Sequence, residues 1–276
     1  MKRSERLVDM TKYLMDRPHT LISLPFFAKR YEAAKSSISE DLAILKHTLA
    51  KNQDGLLETV AGAAGGVRYI PYLGEDHAKN FLTNLASRIE EPNRILPGGF
   101  VYLSDILGNA QDLRKIGELI ATHYAYSDVD AVMTVETKGI PLAEAVARYL
   151  DVPFVTARKR SKVTEGATVS VNYISSSLDR VSKMELPTRS LEKNSNVLII
   201  DDFMKGGGTL TGMEQLVKEF DSTVAGICVL CEADFDKDKL VENYLSLVKI
   251  SKIDTQKKLI LAEPGNFMNQ TDFSRF

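Results

Sequence analysis

Apolar positions set the rhythm of this chain, and the rhythm changes twice. Through the first fifty residues they recur at helical spacing. Leu7, Val8, Met10, Thr11, Leu14 and Met15 fit one helix, which stops before Pro18. Residues 24–31 read as a second, with Ser23 as N-cap and Pro25 in the first turn. A third opens at Lys35-Ser36-Ser37 and turns Ile38, Leu42, Leu45 and Leu49 to a core. Two short runs, 56–60 and 67–70, then flank a glycine-rich turn and predict a hairpin. Three helices followed by a hairpin is the order of a winged helix.

A helical stripe of Leu82, Leu85 and Ile89 comes next, and Pro92 and Pro97-Gly98-Gly99 punctuate the chain after it. From Phe100 onward strand and helix alternate. Residues 100–102, 129–135 and 152–157 read as strands, and 104–123 and 140–150 as helices, with Pro141 in a first turn. The run Val197-Leu198-Ile199-Ile200 suits a strand buried on both faces, and 210–220 has an amphipathic helix spacing. This order predicts an α/β domain with a parallel sheet whose ligands sit at the C-terminal strand ends. Domain 1 is expected over residues 1–74 and domain 2 over 75–276, with 75–98 a connecting helix and loop.

The strand at 197–200 runs into Asp201-Asp202-Phe203-Met204-Lys205-Gly206-Gly207-Gly208-Thr209. Glycines let backbone N–H groups approach a phosphate, and the following helix adds a favourable dipole. The two carboxylates can accept hydrogen bonds from vicinal ribose hydroxyls, with a cation nearby to balance charge. No Gly-Lys-Ser/Thr closes the loop, and the acidic pair precedes the glycines, so neither a Walker motif nor a dinucleotide fingerprint is present. A phosphorylated sugar is the indicated ligand.

This loop resembles the one with which type I phosphoribosyltransferases hold 5-phosphoribosyl-1-pyrophosphate (PRPP). The resemblance implies that Thr137, Lys138 and Gly139 form a pyrophosphate loop, on the same sheet edge. It also implies phosphate contacts from Arg158 and Lys159, in the basic cluster 158–162, and a two-stranded hood over the ligand within the polar segment that runs to Pro187 and includes Ser175-Ser176-Ser177. Tyr102 and Phe203 are candidate partners for a purine ring. The enzymes usually show a small residue and then Thr or Ser before Gly-Gly-Thr; here the pair is Lys205-Gly206, which removes a hydroxyl and adds a cation. One hydrogen bond to a charged group is worth about 1.5–3 kcal/mol, so this exchange favours a sensor over a catalyst, and no catalytic residue is assigned.

Charge supports a division of labour. The chain carries a net −2, yet residues 1–74 hold 11 Lys and Arg against 8 Asp and Glu, a net of +3, leaving −5 for the rest. In a winged helix the third helix enters the major groove. Its first turn here offers Lys35, Ser36, Ser37 and Ser39, with Arg30 just upstream and Arg68 on the wing. Ser36 has a second reading, as a helix cap. Two cysteines, Cys228 and Cys231, and four scattered histidines suggest buried thiols and no metal cluster. No run approaches membrane-spanning length, and a cytoplasmic protein is expected.

Segments 35–42, 62–71, 96–108, 137–142, 162–173 and 196–212 together resemble the purine operon repressors of Gram-positive bacteria. That resemblance implies a homodimer that represses purine-synthesis genes by binding operator DNA. It implies PRPP, with Mg2+, as an effector that weakens DNA binding, and ppGpp as a competitor for the same pocket. Two alternatives are an active purine phosphoribosyltransferase with an accessory N-terminal domain, and a DNA-binding protein whose second domain only dimerises.

Overall fold

A computed structural model describes residues 1–62, 65–160, 163–175 and 180–276. Ala63 and Ala64 of the expected wing turn, Ser161 and Lys162 of the basic cluster, and Ser176 and Ser177 of the hood lie outside the described residues.

The N-terminal domain comprises α1 (Arg3–Met15), α2 (Leu24–Tyr31), α3 (Lys35–Asn52), β1 (Leu56–Val60) and β2 (Gly66–Ile70). Ser23 caps α2 by accepting from the Phe26 N–H at 3.3 Å. Met10, Leu14, Phe27, Ile38 and Leu57 fill the core, whereas Val8 and Met15 are exposed, so the buried stripe of α1 is narrower than its apolar pattern. The carboxylate of Asp41, wholly buried, is shared by Arg3 and Arg6 and fastens α1 to α3. The hairpin is antiparallel, from Leu56↔Ile70 to Val60↔Gly66. Ile22 bridges to Val67 beside it. Gly66 is needed there, because a side chain would strike the Ile22 carbonyl.

The chain enters the second core at Leu73, whose N–H donates to Thr122 Oγ1 at 2.9 Å. Then follow α4 (Glu75–Ile89), β3 (Ile95–Leu96), β4 (Phe100–Val101), α5 (Ser104–Leu107), α6 (Ala110–Tyr124), β5 (Ala131–Val135), α7 (Gly139–Leu150), β6 (Phe154–Ala157), β7 (Thr168–Ser175), β8 (Arg180–Pro187), β9 (Asn196–Met204), α8 (Gly208–Glu219), β10 (Thr223–Ala233), β11 (Leu245–Asp254), β12 (Leu259–Pro264) and α9 (Phe267–Gln270).

The main sheet has the order β12-β11-β10-β9-β5-β6. Its pairings are parallel except β11–β12. Along β9 the side chains alternate: Leu198 and Ile200 join the core that holds α6 and α7, and Val197 and Ile199 join the core under α8. This is why the run is apolar throughout. The hood strands β7 and β8 pair with each other, and Tyr173, Met184 and Leu186 settle on the α8 side.

Two expectations need correction. Residues 100–102 do not begin the main sheet; β4 pairs with β3 in a separate two-stranded hairpin, closed by Gly98 and Gly99 at positive φ. The expected helix 104–123 is two helices. Gly108 ends the first, and the Asn109 side chain starts the second by accepting from the N–H groups of Gln111 and Asp112 at 2.9 and 3.1 Å. Among the described residues, no helix is long and apolar enough to cross a membrane.

Candidate effector and DNA-binding sites

Strands β5 and β9 are parallel neighbours, but the chain leads from β5 outward to β6 and from β9 the opposite way to β10. A crevice opens beyond the strand ends where winding direction reverses. A cavity of about 950 Å³ lies there, lined by Lys138 at the end of β5 and by Asp201, Asp202, Phe203, Lys205, Gly206, Gly207, Gly208 and Thr209 at the end of β9. The two glycine-bearing loops expected to share one edge do so. α7 has Lys138 as its N-cap and α8 has Gly207, and neither residue makes a side-chain cap bond. Their first-turn N–H groups are the kind of donors that phosphates take. Gly207 has φ +85° and sits against Val241, so the left-handed turn and the close approach both require glycine.

At the floor, Asp201 is 4% exposed. Burial, and then the neighbouring Asp202 carboxylate, push its pKa well up. Burial raises Asp202 too, with Lys138 opposing. The pair therefore favours a positively charged or hydroxyl-donating ligand, which would relieve the cost of two ionised carboxylates side by side. Among the described residues, no group of three or more His, Cys, Asp or Glu could hold a metal ion by itself. Asp201 and Asp202, with Asp234 and Asp236, are the carboxylates in the cavity lining, a set that suits a Mg2+ keeping most of its water and sharing its remaining positions with a ligand.

The other candidates divide. Thr137 is exposed, and Gly139 is the buried first residue of α7; neither lines the cavity. Arg158 is occupied: it donates to Glu136 at 3.0 Å and pairs with Glu165 at 2.7 Å, and its pKa is raised by the first of these. Lys159 is exposed, and its backbone N–H donates to Glu136 Oε1 at 3.0 Å. Glu136 thereby ties the end of β5 to the end of β6. Tyr102 lies outside the cavity wall, and Phe100 stands in it instead.

Phe100 is carried by the β3–β4 hairpin, and the hairpin is held by Arg94. This buried guanidinium makes two bonds of 2.7 Å to Asp105 and donates to the carbonyls of Tyr102 and Arg88 at 3.0 and 2.6 Å. Ile250, Ser251, Lys252 and Ile253 of β11 form a further wall, and Asp234 and Asp236 also line the cavity. Sequence reasoning did not find that wall. The alternation along Leu245–Asp254 was the available signal for its strand.

In the N-terminal domain, Lys35, Ser36 and Ser39 are exposed on the first turn of α3, and Ser37 is half-buried. The N-cap is Ala34, without a side-chain bond, so Ser36 does not cap the helix. Arg30 is drawn aside, paired with Asp9 at 3.0 Å and lying over the Tyr13 ring. Arg68 pairs with Glu58 across the hairpin. Its charge acts on His19 and on Tyr126 of the second domain, which places it towards the domain junction.

The family described as bacterial purine repressor, N-terminal, matches residues 2–71, and the phosphoribosyl transferase domain family matches 103–262. A purine biosynthesis transcriptional repressor of Bacillus subtilis is 54% identical over 97% of this chain and 94% of its own. The chain belongs to the bacterial purine repressor family. Another relative, a purine biosynthesis transcriptional activator of Lactococcus lactis, is 49% identical over 98% of this chain and 99% of its own. The family thus contains regulators named for both signs of control. A xanthine phosphoribosyltransferase of Shouchella clausii is 32% identical over 66% of this chain and 96% of its own.

Proposed function

We propose that this protein is a DNA-binding transcriptional repressor of purine-biosynthesis genes, acting in the cytoplasm as a homodimer. PRPP with Mg2+ is its effector and weakens operator binding, and ppGpp is a second occupant of the same cavity. One observation supports this most: an acidic pair, Asp201 buried and Asp202 half-buried, and a triple-glycine helix start share a cavity in the chain that also carries a winged helix. Ribose hydroxyls match the carboxylates, and phosphates match the N-terminal turns of α7 and α8. Lys35, Ser36 and Ser39 face the operator, with Lys35 on a phosphate.

The likeness to a xanthine phosphoribosyltransferase supports the competing reading, an active transferase. Lys205-Gly206 in the loop speaks against it. Titrating a promoter fragment of purine-biosynthesis genes with the protein, with and without PRPP–Mg2+ or ppGpp, tests the proposal. PRPP should weaken binding, and ppGpp should compete with PRPP. Unchanged operator affinity, or nucleotide formed at enzyme-like rates from PRPP and a purine base, overturns it.

A further inference from the structure

Among the described residues, two buried side-chain atoms have no hydrogen-bond partner: Thr134 Oγ1 and His19 Nε2. They belong to different domains, and α7 reaches both. At its start, Gly139 packs so tightly on Thr134 that a methyl group would collide with the hydroxyl, and the same point lies 3.6 Å from Asp201 Oδ1. Lys138, which precedes this first turn, lines the cavity. At its end, Asp151 accepts a hydrogen bond of 3.3 Å from Thr20 Oγ1 of the N-terminal domain. Asp151 and the backbone of Tyr149 also act on the His19 imidazole. The helix has 12 residues, about 18 Å of rigid rod.

Its packing suits a small axial displacement. Leu142, Val146 and Leu150 anchor the helix in the core, while Ala143 and Ala147 are small and Gly117 of α6 lies directly on the Ala145 backbone, so the α6–α7 crossing itself is smooth. Small sliding of packed helices is a known way to switch domains. Buried polar atoms in native folds nearly always have partners. One lies beside each end of the same helix, and a shift of that helix would change the surroundings of both.

We propose that α7 has two axial positions, and that a diphosphate-bearing ligand at Lys138–Gly139 selects the one in which Thr134 is satisfied and the Thr20–Asp151 contact is remade. Occupancy of the cavity is thereby carried to the DNA-binding domain. This rests on the reading of the cavity as a PRPP site.

Coupling between two binding sites is reciprocal, so it can be read from the ligand side. PRPP–Mg2+ affinity is measured by calorimetry on the full-length protein, alone and saturated with a promoter fragment. The wild type should show a ratio of about fivefold or more. Thr20→Val and Asp151→Asn should each bring the ratio towards one while either affinity alone changes little. Asparagine suits position 151, where φ is +57°. Tyr126→Leu, in the aromatic stack with Phe276 and off α7, should keep the wild-type ratio. Without any substitution, PRPP–Mg2+ should also shift the nuclear magnetic resonance signals of the His19 ring. A wild type that binds no PRPP overturns the ligand reading and this inference with it. Intact coupling in both α7-end variants, equal loss in Tyr126→Leu, or an unmoved His19 overturns the inference alone.

Discussion

The backbone N–H of Asp202 donates to Oδ1 of Asp201 at 2.9 Å, holding a buried carboxylate at the floor of the cavity. That bond favours the ionised form of Asp201, but burial and the Asp202 charge outweigh it. The folded-state pKa lies above the ordinary 3.8. The folded protein therefore binds the extra proton, and stability falls as pH rises from 3.8 through the raised value, then levels. Asp201→Asn should shrink this fall to the part that the buried Asp202 contributes, and raise the melting temperature at neutral pH by about 2–4 °C for each kcal/mol relieved. The same variant should keep its operator affinity and lose its response to PRPP. Thermal melts across pH, with operator titrations, check both.

Arg94→Met should loosen the hairpin that presents Phe100. The buried guanidinium serves two carbonyls and one carboxylate, so its loss should cost about 2–3 kcal/mol. Asp105 is held below its usual pKa by hydrogen bonding to Arg94. The pair's contribution is therefore present above pH 3.8 and lost as acid protonates Asp105. Urea melts at pH 7 and well below pH 3.8 should show the variant weaker at the first and closer to wild type at the second.

Lys35→Ala should weaken operator binding and reduce the slope of log affinity against log salt by about one. Arg68→Ala should leave that slope nearly intact, because Arg68 is paired with Glu58 and acts on Tyr126 and His19. Binding isotherms at several salt concentrations separate the two.

Thr134→Val removes a buried hydroxyl that has no partner, at nearly constant volume. Replacing an unsatisfied polar group in this way should be neutral or stabilising by about 1 kcal/mol in the free protein. If the hydroxyl is recruited on ligand binding, PRPP affinity should fall in the same variant. A melt and a calorimetric titration together give both values.

Much of this was legible in the residues. Four branched apolar residues before Asp201-Asp202 required a strand covered on both faces, and the core on each side of Leu198 and Ile199 is the reason. Ser23 and Pro25 marked the start of α2 because both act through local backbone geometry. Less visible were relations that only tertiary structure creates. Arg158 had the right charge beside the right strand, but Glu136 and Glu165 lie within reach of it only after folding. Tyr102 and Phe100 are two residues apart, and the two-residue strand between the Gly99 turn and α5 decides which of them meets the cavity. The β11 wall had no chemical signature, because Ile250 and Ile253 read as ordinary core.

Asp41 has a consequence for experiment. Its carboxylate is wholly shielded from solvent and pairs with the largely buried Arg6, while Arg3 on its other oxygen is half exposed, and buried pairs are screened far less by dissolved ions than exposed ones. The clamp that orients α3 thus withstands ionic strengths that strip Lys35 from a phosphate. Raising salt should release the operator from an intact reading head, and the apparent loss of affinity then measures the interface alone.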